Sequence, residues 1–140
     1  MTVYREQVND PLLLGGPGNI VRSRVLVVDD EPDQRYLLRR YFESAGFAVS
    51  EAGNGVAALR SVEEARPDLV VTDVMMPVMA GPELIMLLRA AATTAGIPIV
   101  AVTGDGSLAS GADVVLGKPC DRRELITIAE RLISQKVGGE

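Results

Sequence analysis

The sequence predicts an α/β domain with a mostly parallel β-sheet that is covered by helices on both sides. Three observations support this fold class. Short apolar runs recur along the 140 residues, and such continuous runs are typical of strands that are buried on both faces. Segments with apolar residues at helical spacing separate these runs, and strands that alternate with helices form parallel sheets with right-handed crossovers. The length suits a single hydrophobic core.

Two strand–helix pairs are predicted in the first half of the chain. Residues 25–28 form an uninterrupted, β-branched-rich strand, and the helix that follows begins at Pro32 and stops at Gly46. The second strand, over residues 47–51, alternates with small residues, so we expect it at an edge of the sheet. Asn54 is the predicted N-cap of the second helix. The apolar side of these two helices consists of Leu38, Tyr41, Phe42, Ala45, Val56, Leu59 and Val62.

Three strands and two helices follow in the second half. The third strand covers residues 69–72, and Gly81, which precedes a proline, opens the third helix. Residues 97–102 and 114–116 are predicted as the fourth and fifth strands, and a last helix covers about residues 121–136. The apolar side of these two helices consists of Leu84, Leu87, Leu88, Ala91, Leu125, Ile128, Ala129 and Leu132.

Composition excludes several classes of function. Fourteen Lys and Arg residues against nineteen Asp and Glu residues give a net charge of −5, so we expect no direct contact with nucleic acid or with an anionic membrane. No histidine is present, which excludes a Ser-His-Asp triad or His-ligated zinc within the chain. Cys120 is the one cysteine, which excludes an internal disulfide and a thiolate cluster. No apolar run approaches the roughly 18 residues of a membrane helix. We therefore expect a cytoplasmic protein whose chemistry rests on carboxylates, hydroxyls and lysine.

The domain is predicted to extend over residues 24–136. Residues 1–23 show no sustained hydrophobic period and contain a Gly- and Pro-rich stretch at 15–18, so we expect an N-terminal flexible tail. A strap across the domain surface and a partner-binding segment are the alternatives for this region. Residues 137–140 are expected to be a short C-terminal tail.

Polar side chains follow four of the predicted strands at their carboxyl ends. Asp29 and Asp30 follow the first strand, Asp73 the third, Thr103 the fourth and Lys118 the fifth. Because the carboxyl ends of parallel strands lie on one rim of the sheet, we expect these groups to converge there. Three neighbouring carboxylates raise one another's pKa unless a cation neutralises them. A few carboxylates with a backbone oxygen and waters suit Mg²⁺.

This set of groups fits phosphoryl transfer to a carboxylate. Asp73, at the centre of the rim, can act as a nucleophile and accept a phosphoryl group as a mixed anhydride. Such a transfer depends on in-line positioning and on neutralising the phosphoryl oxygens. Mg²⁺, the Lys118 ammonium and the Thr103 hydroxyl can each serve one of these oxygens.

Four motifs, in their order along the chain, resemble those of response-regulator receiver domains of two-component signalling systems. They are V-L-V-V-D-D-E-P at 25–32, D-V-M-M-P-V-M-A-G at 73–81, the strand-end Thr103, and G-A-D-V-V-L-G-K-P at 111–119. The resemblance covers about residues 24–136. It implies a flavodoxin-like, doubly wound, five-stranded parallel sheet in the order 2-1-3-4-5.

The resemblance also implies which residues bind the phosphoryl group and the metal ion. Asp73 matches the phosphoacceptor, and Asp29 and Asp30 match the acidic pair that holds Mg²⁺ together with the backbone carbonyl of Met75. The phosphodonor in this family is a phosphohistidine on a sensor histidine kinase or a histidine phosphotransfer protein. The chain is therefore expected to accept a phosphoryl group without being an enzyme in the usual sense.

Three further positions match residues around the phosphoryl group. Lys118 matches the lysine that contacts the phosphate, and Pro119 follows it through a bond that is typically cis in the family. Thr103 matches the hydroxyl that turns toward the phosphoryl group on activation.

The sequence departs from the family pattern at two places. Val115 stands three residues before Lys118, where the family usually has an aromatic switch residue. Only residues 104–111 separate Thr103 from Ala112, and this Gly- and Ser-rich stretch reads as a loop or at most one helical turn. The helix that the family has here, its fourth, is therefore predicted to be short or absent. That change affects the surface the family uses for output and dimerisation.

Three functions follow from this sequence. The first is a phosphoryl-accepting module that changes its binding to a separate downstream protein. The second is a phosphorylation-independent interaction scaffold, which the missing aromatic residue and the shortened helix favour. The third, a flavodoxin-like protein or a phosphatase, is disfavoured. No Gly-rich phosphate loop follows the first strand, which opposes a flavodoxin-like protein. A phosphatase would need a second catalytic acid two residues after Asp73, and Met75 stands there.

Overall fold

The computed structural model describes residues 22–76, 78–104 and 110–138. Most of the predicted N-terminal tail and most of the predicted loop after Thr103 therefore lie outside the described residues. In the described part, five strands and four helices alternate along the chain. Their bounds are β1 Arg24–Val28, α1 Pro32–Ser44, β2 Ala48–Ala52, α2 Gly55–Glu64, β3 Leu69–Asp73, α3 Gly81–Ala90, β4 Ile99–Thr103, β5 Val114–Gly117 and α4 Arg122–Gly138.

The strands form one parallel sheet in the order β2-β1-β3-β4-β5. This order confirms the predicted flavodoxin-like, doubly wound fold, and it places β2 at one edge, as expected from its sequence pattern. Val28 pairs with Thr72, and Asp73 pairs with Val102. The carboxyl ends of β1, β3 and β4 are therefore side by side at the centre of the sheet.

Two helices cover each face of the sheet. On one face, α1 and α4 pack against β1, β3, β4 and β5 through a cluster that includes Val27, Phe42, Val71 and Leu125. On the other face, α2 and α3 pack through a second cluster that includes Leu26, Val62, Leu84 and Ile99. The continuous apolar runs of the central strands are needed because both of their faces are buried.

Several local predictions are confirmed, with small shifts in the bounds of the elements. The Asn54 side chain accepts a hydrogen bond from the Ala57 amide at 2.8 Å, as expected of an N-cap. β4 begins at Ile99, two residues later than predicted, and α4 continues to Gly138. None of the helices in the described ranges is long and apolar enough to cross a bilayer.

The predicted apolar sides of the helices include four exposed residues and omit the buried Ile85. Val56 and Leu87 are exposed, at 43% and 38%, whereas Ile85 is buried. The buried stripe of α3 follows positions i, i+3, i+4 and i+7 from Gly81, which includes Ile85 and leaves Leu87 beside it. Ala45 and Ala91 are exposed because each lies just beyond the last residue of its helix.

The connection between β4 and β5 contains no helix in its described residues, 104 and 110–113. Ten residues, 104–113, join the two strands, which is too short for a loop and a full helix. Arg89 of α3 binds this connection instead. Its guanidinium forms an ion pair with Asp113 at 2.7 Å and donates to the Gly111 carbonyl at 3.0 Å. The prediction that the family's fourth helix is short or absent is thus confirmed.

Candidate functional site

Three carboxylates lie together at the carboxyl end of the sheet. One oxygen from each of Asp29, Asp30 and Asp73 is within 4.8 Å of the others. Asp29 and Asp73 are almost fully buried, at 2% and 7% exposure, and Asp30 is half-buried. Strand register produces this arrangement, because Val28 and Thr72 are partners and an aspartate follows each of them.

The Asp73 carboxylate is fixed through both of its oxygens. Oδ1 accepts hydrogen bonds from the amides of Val74 at 2.7 Å and Met75 at 3.3 Å. Oδ2 lies 3.2 Å from Nζ of Lys118. The Thr72 hydroxyl donates to the Asp73 carbonyl at 2.8 Å, and this hydrogen bond also restrains the main chain at Asp73. The carboxylate is therefore oriented before any ligand arrives.

The charge of Asp29 is only partly compensated. Burial, followed by the charges of Asp73 and Asp30, raises the pKa of Asp29 above its ordinary value. The Glu31 amide, which donates to Oδ1 at 2.9 Å, and the Lys118 ammonium, 3.9 Å from Oδ2, act in the opposite direction. Because burial is the largest of these effects, the raised pKa chiefly reflects the cost of keeping a charged carboxylate away from water, and a bound cation would stabilise that charge.

Lys118 reaches the carboxylates from the segment after β5. Its amide donates to the Thr103 carbonyl at 3.1 Å, and the Lys118–Pro119 peptide bond is cis. Thr103 is the last residue of β4, is 1% exposed and pairs with Gly117. Since Asp73 pairs with Val102, Thr103 lies one residue farther along the neighbouring strand. The structure thus brings Asp29, Asp30, Asp73 and Lys118 into direct proximity and places Thr103 on the same rim.

Met75 and Val115 are the other two positions that the sequence singled out. Met75 is 63% exposed, and its amide donates to the Asp73 carboxylate. The assignment of the Met75 carbonyl as a metal ligand stays a prediction. Val115 pairs with Ala101 and is 42% exposed on β5, so an aliphatic side chain occupies the surface where the family usually carries the aromatic residue.

Sequence reasoning missed the roles of Arg35 and Gly81. Arg35 donates to the Asp29 carbonyl at 2.7 Å, and no local sequence pattern signals this contact. A Cβ atom at Gly81 would lie 2.6 Å from the Asp73 carbonyl oxygen and 2.7 Å from Cα of Val74. The signal for Gly81 is its place in the first turn of a helix, where glycine is unfavourable unless packing requires it.

The donor set at this site fits Mg²⁺. All of the clustered groups are carboxylate oxygens, which are the ligands that hard cations prefer. Their separation of at most 4.8 Å is close to the roughly 4 Å between opposite ligands of an octahedral Mg²⁺. The acidic cluster is therefore compatible with a magnesium ion.

A cleft of about 370 Å³ adjoins the carboxylates between α1 and the segment after β5. Its lining combines the charged groups of Asp29 and Lys118 with apolar side chains, among them Leu37, Tyr41 and Cys120. Burial raises the pKa of the Cys120 thiol, so this side chain is neutral at physiological pH. The site is thus open on one side to a partly apolar groove.

Comparisons with known proteins agree with this geometry. The model of the response regulator receiver domain family matches residues 25–130. The DNA-binding response regulator MtrA of Mycolicibacterium smegmatis is 39% identical over 113 residues, which are 76% of this chain and 48% of MtrA. The chain spans about half the length of the MtrA relatives that it matches.

Solved structures show the same likeness. A signal receiver domain of a histidine kinase from Syntrophus aciditrophicus has a TM-score of 0.75 at 34% identity, covering 80% of this chain and 90% of that one. The response regulator TrrA of Thermotoga maritima, solved with Mg²⁺-BeF, has a TM-score of 0.72 at 30% identity, covering 79% and 98%. The chain therefore belongs to the response regulator receiver domains of two-component systems, which are signalling modules rather than classical enzymes.

Proposed function

We propose that this domain accepts a phosphoryl group on Asp73 from a phosphohistidine of a partner protein, in a reaction that depends on Mg²⁺. The observation that supports this proposal most directly is the position of the Asp73 carboxylate. It is buried, lies within 4.8 Å of two other carboxylates, and faces a lysine ammonium at 3.2 Å. A carboxylate that is oriented among a cation and potential metal ligands is suited to nucleophilic attack on phosphorus.

The transfer exchanges one phosphorus bond for another. An oxygen of Asp73 forms a bond to phosphorus, the bond from phosphorus to the imidazole nitrogen breaks, and the electron pair of that bond stays on the nitrogen. The product is a mixed anhydride of carboxylate and phosphate. Since the sequence contains no histidine, the donor lies on another protein, and we propose a sensor histidine kinase or a histidine phosphotransfer protein.

Each polar group of the site has a part in this proposal. The amides of Val74 and Met75 hold Oδ1, so that the carboxylate has a fixed direction of attack. Lys118 balances negative charge on the side of Oδ2. The Thr103 hydroxyl contacts the phosphoryl group after transfer.

The metal ligands are the carboxylates of Asp29, Asp30 and Asp73 and the backbone carbonyl of Met75. A Mg²⁺ ion held by these residues would supply positive charge that offsets the charge of the phosphoryl oxygens. The grouping of three carboxylate oxygens within 4.8 Å of one another supports this assignment. The acidic cluster without a cation repels an incoming phosphoryl group.

The cleft beside Asp29 and Lys118 supports access by a protein donor. Its partly apolar lining allows a partner surface to be desolvated next to the carboxylates. Phosphorylation then adds about 1.5 to 2 negative charges to the rim, which changes the surface that a downstream protein meets. MtrA is named as DNA-binding, but the matched part is half of that protein, and the net charge of −5 opposes direct DNA contact by this domain.

Mass spectrometry after incubation with Mg²⁺ and acetyl phosphate tests the proposal. We expect the wild type to gain the mass of one phosphoryl group, and neither Asp73→Asn nor wild type in EDTA to gain it. Asp33→Asn, at an exposed site in the first turn of α1, serves as the matched control and should be labelled normally. Labelling of Asp73→Asn to the wild-type level would contradict the proposal.

A phosphorylation-independent scaffold is the second candidate. Val115 in place of an aromatic residue and the helix-free described part of the β4–β5 connection favour it, because both alter the family's output surface. Binding and size measurements with and without beryllofluoride, a phosphoryl mimic, separate the two functions. A partner that binds wild type, Asp73→Asn and beryllofluoride-treated protein equally well supports the scaffold.

A further inference from the structure

We propose that Arg35 is a positioning residue for the acidic pair: it fixes the peptide group that joins Asp29 to Asp30 and thereby sets the affinity of the site for Mg²⁺. This inference rests on the proposed function of the carboxylate cluster. It assigns to α1 a part in the metal site that the sequence motifs do not indicate.

The contact between Arg35 and the acidic pair is short and directional. One terminal nitrogen of the guanidinium donates to the Asp29 carbonyl oxygen at 2.7 Å. That oxygen belongs to the peptide group whose nitrogen is the amide of Asp30, so the bond sets the plane from which the Asp30 side chain projects. Charge-assisted hydrogen bonds of this kind are among the stronger ones in proteins.

The other groups of Asp29 are also held. Its amide donates to the Ala52 carbonyl of β2 at 3.1 Å, and its Oδ1 accepts from the Glu31 amide at 2.9 Å. With the Arg35 bond, the amide, the carbonyl and the carboxylate of Asp29 each have a partner. Loss of the Arg35 bond removes a direct constraint on the peptide that leads to Asp30.

Packing holds the guanidinium in place. Its Nε donates to Glu51 of β2 at 2.9 Å, and the side chain is 21% exposed. A Cβ atom at Gly53 would lie 3.3 Å from the nitrogen that binds Asp29, so the guanidinium rests against the chain just after β2. The planar fork of arginine binds two acceptors at once, which a lysine ammonium on its flexible stem does not reproduce.

Loss of the Arg35 charge and loss of its hydrogen bond to the Asp29 carbonyl are expected to change Mg²⁺ affinity in opposite directions. A positive side chain near the carboxylates repels the metal ion, so loss of its charge alone should tighten binding. Loss of the peptide constraint should weaken binding, because the ligands are then less well arranged. Residues that orient metal ligands typically contribute 10- to 100-fold in affinity.

Arg39 provides the matched control. It lies on the same helix and forms an ion pair with the same Glu51, at 2.7 Å. Within the described part of the chain, its guanidinium bonds to Glu43 and Glu51 and not to the acidic pair. Arg39→Met therefore removes a charge and a Glu51 contact while it leaves the Asp29 carbonyl bonded. Arg35→Lys keeps the charge at position 35, and Arg35→Met removes it.

Titration with MgCl₂ at constant ionic strength, followed by amide NMR shifts of residues 29–31 and 73–75, gives the dissociation constants. We expect about tenfold weaker binding for both Arg35→Met and Arg35→Lys, and a change of less than about twofold for Arg39→Met. Thermal melts in EDTA establish that each variant is folded. If Arg35→Met fails to fold, Arg35→Lys decides, because it keeps the charge and the aliphatic stem.

Two results would overturn the inference. Wild-type affinity in both Arg35 variants shows that the peptide constraint has no role. Tighter binding in Arg35→Met with wild-type affinity in Arg35→Lys shows that Arg35 acts through charge alone. Failure of the wild type itself to bind Mg²⁺ is a different outcome, since it contradicts the proposed function of the carboxylate cluster.

Discussion

Nζ of Lys118 lies 3.2 Å from Oδ2 of Asp73 and 3.9 Å from Oδ2 of Asp29. One ammonium group thus faces two buried carboxylates, one just after β1 and one at the end of β3. The lysine occupies this position because β5 pairs with β4 up to Gly117 and because the Lys118 amide is bonded to the Thr103 carbonyl. Charge at the rim of the sheet is therefore arranged by strand pairing.

Removal of the Lys118 charge should slow phosphorylation of Asp73. We expect Lys118→Met to reduce the initial rate of labelling by acetyl phosphate about 10²- to 10³-fold, since loss of a preorganised charge-stabilising group has effects of this size. Initial rates from intact-protein mass spectrometry provide the measurement. Arg60→Met, at an exposed position of α2, is the control and should label at the wild-type rate. A wild-type rate for Lys118→Met would show that the ammonium has no role in transfer.

Replacement of Asp29 should make stability less dependent on pH. Because burial and the neighbouring carboxylates raise the pKa of Asp29, the folded protein holds this proton more tightly than the unfolded chain does. The ionised form therefore destabilises the fold at neutral pH, and this effect disappears as the pH falls below the ordinary aspartate pKa of about 4. We expect Asp29→Asn to melt at a higher temperature than wild type at pH 7 without metal, and the difference to shrink towards pH 4.

Thermal melts between pH 4 and pH 7 test this sign. Added Mg²⁺ should raise the melting temperature of wild type more than that of Asp29→Asn. The variant lacks one proposed carboxylate ligand, and a ligand stabilises the folded protein more when it binds it more tightly. Glu63→Gln, at an exposed position of α2, is the matched control for loss of a carboxylate. A lower melting temperature for Asp29→Asn at pH 7 without metal would contradict the expected direction.

Arg89 should be important for stability. Besides Asp113 and Gly111, its guanidinium donates to the carbonyls of Ala95 and Ile97, each at 2.8 Å. Asp113 in turn accepts from the Ile99 amide at 2.7 Å. We expect Arg89→Met to lower the free energy of unfolding by about 2–3 kcal/mol, since several charge-assisted hydrogen bonds are lost together.

Urea denaturation measures this effect, and Arg66 offers a comparison. Among the residues that the structure describes, the Arg66 side chain donates to the Thr93 carbonyl alone, at 3.1 Å, and Arg66 is exposed. Arg66→Met should therefore cost less than about 1 kcal/mol. Equal losses for the two variants would show that the contacts of Arg89 do not stabilise the β4–β5 connection.

Gly81 should tolerate no side chain. A Cβ atom there would lie 2.6 Å from the Asp73 carbonyl oxygen, so Gly81→Ala must displace backbone next to the proposed phosphoacceptor. We expect a loss of about 1–3 kcal/mol in unfolding free energy, as for other overpacked sites, together with slower labelling of Asp73. Gly117→Ala is the control, because its Cβ atom meets nothing within 4 Å. Stability and labelling equal to wild type in Gly81→Ala would contradict this prediction.

Sequence patterns predicted the strands better than the helix faces. The central strands are buried on both sides, so their apolar runs are continuous and their positions follow directly. In α3, by contrast, Leu84, Ile85, Leu87 and Leu88 are all apolar, and several helical stripes can be drawn through them. Packing against the sheet and α2 buries Ile85 and leaves Leu87 exposed.

By itself, the sequence determined the fold class and the convergence of Asp29, Asp30, Asp73 and Lys118, because parallel strands place the residues that follow them on one rim. The contacts of Arg35 with Asp29 and Glu51, of Arg89 with Asp113, and of Gly81 with the Asp73 main chain were decided by tertiary structure alone. Each depends on the distance and direction between groups that are 6 to 24 residues apart in the chain. The hydrophobic periodicity of a single helix or strand does not predict such contacts, since they depend on how the elements pack together.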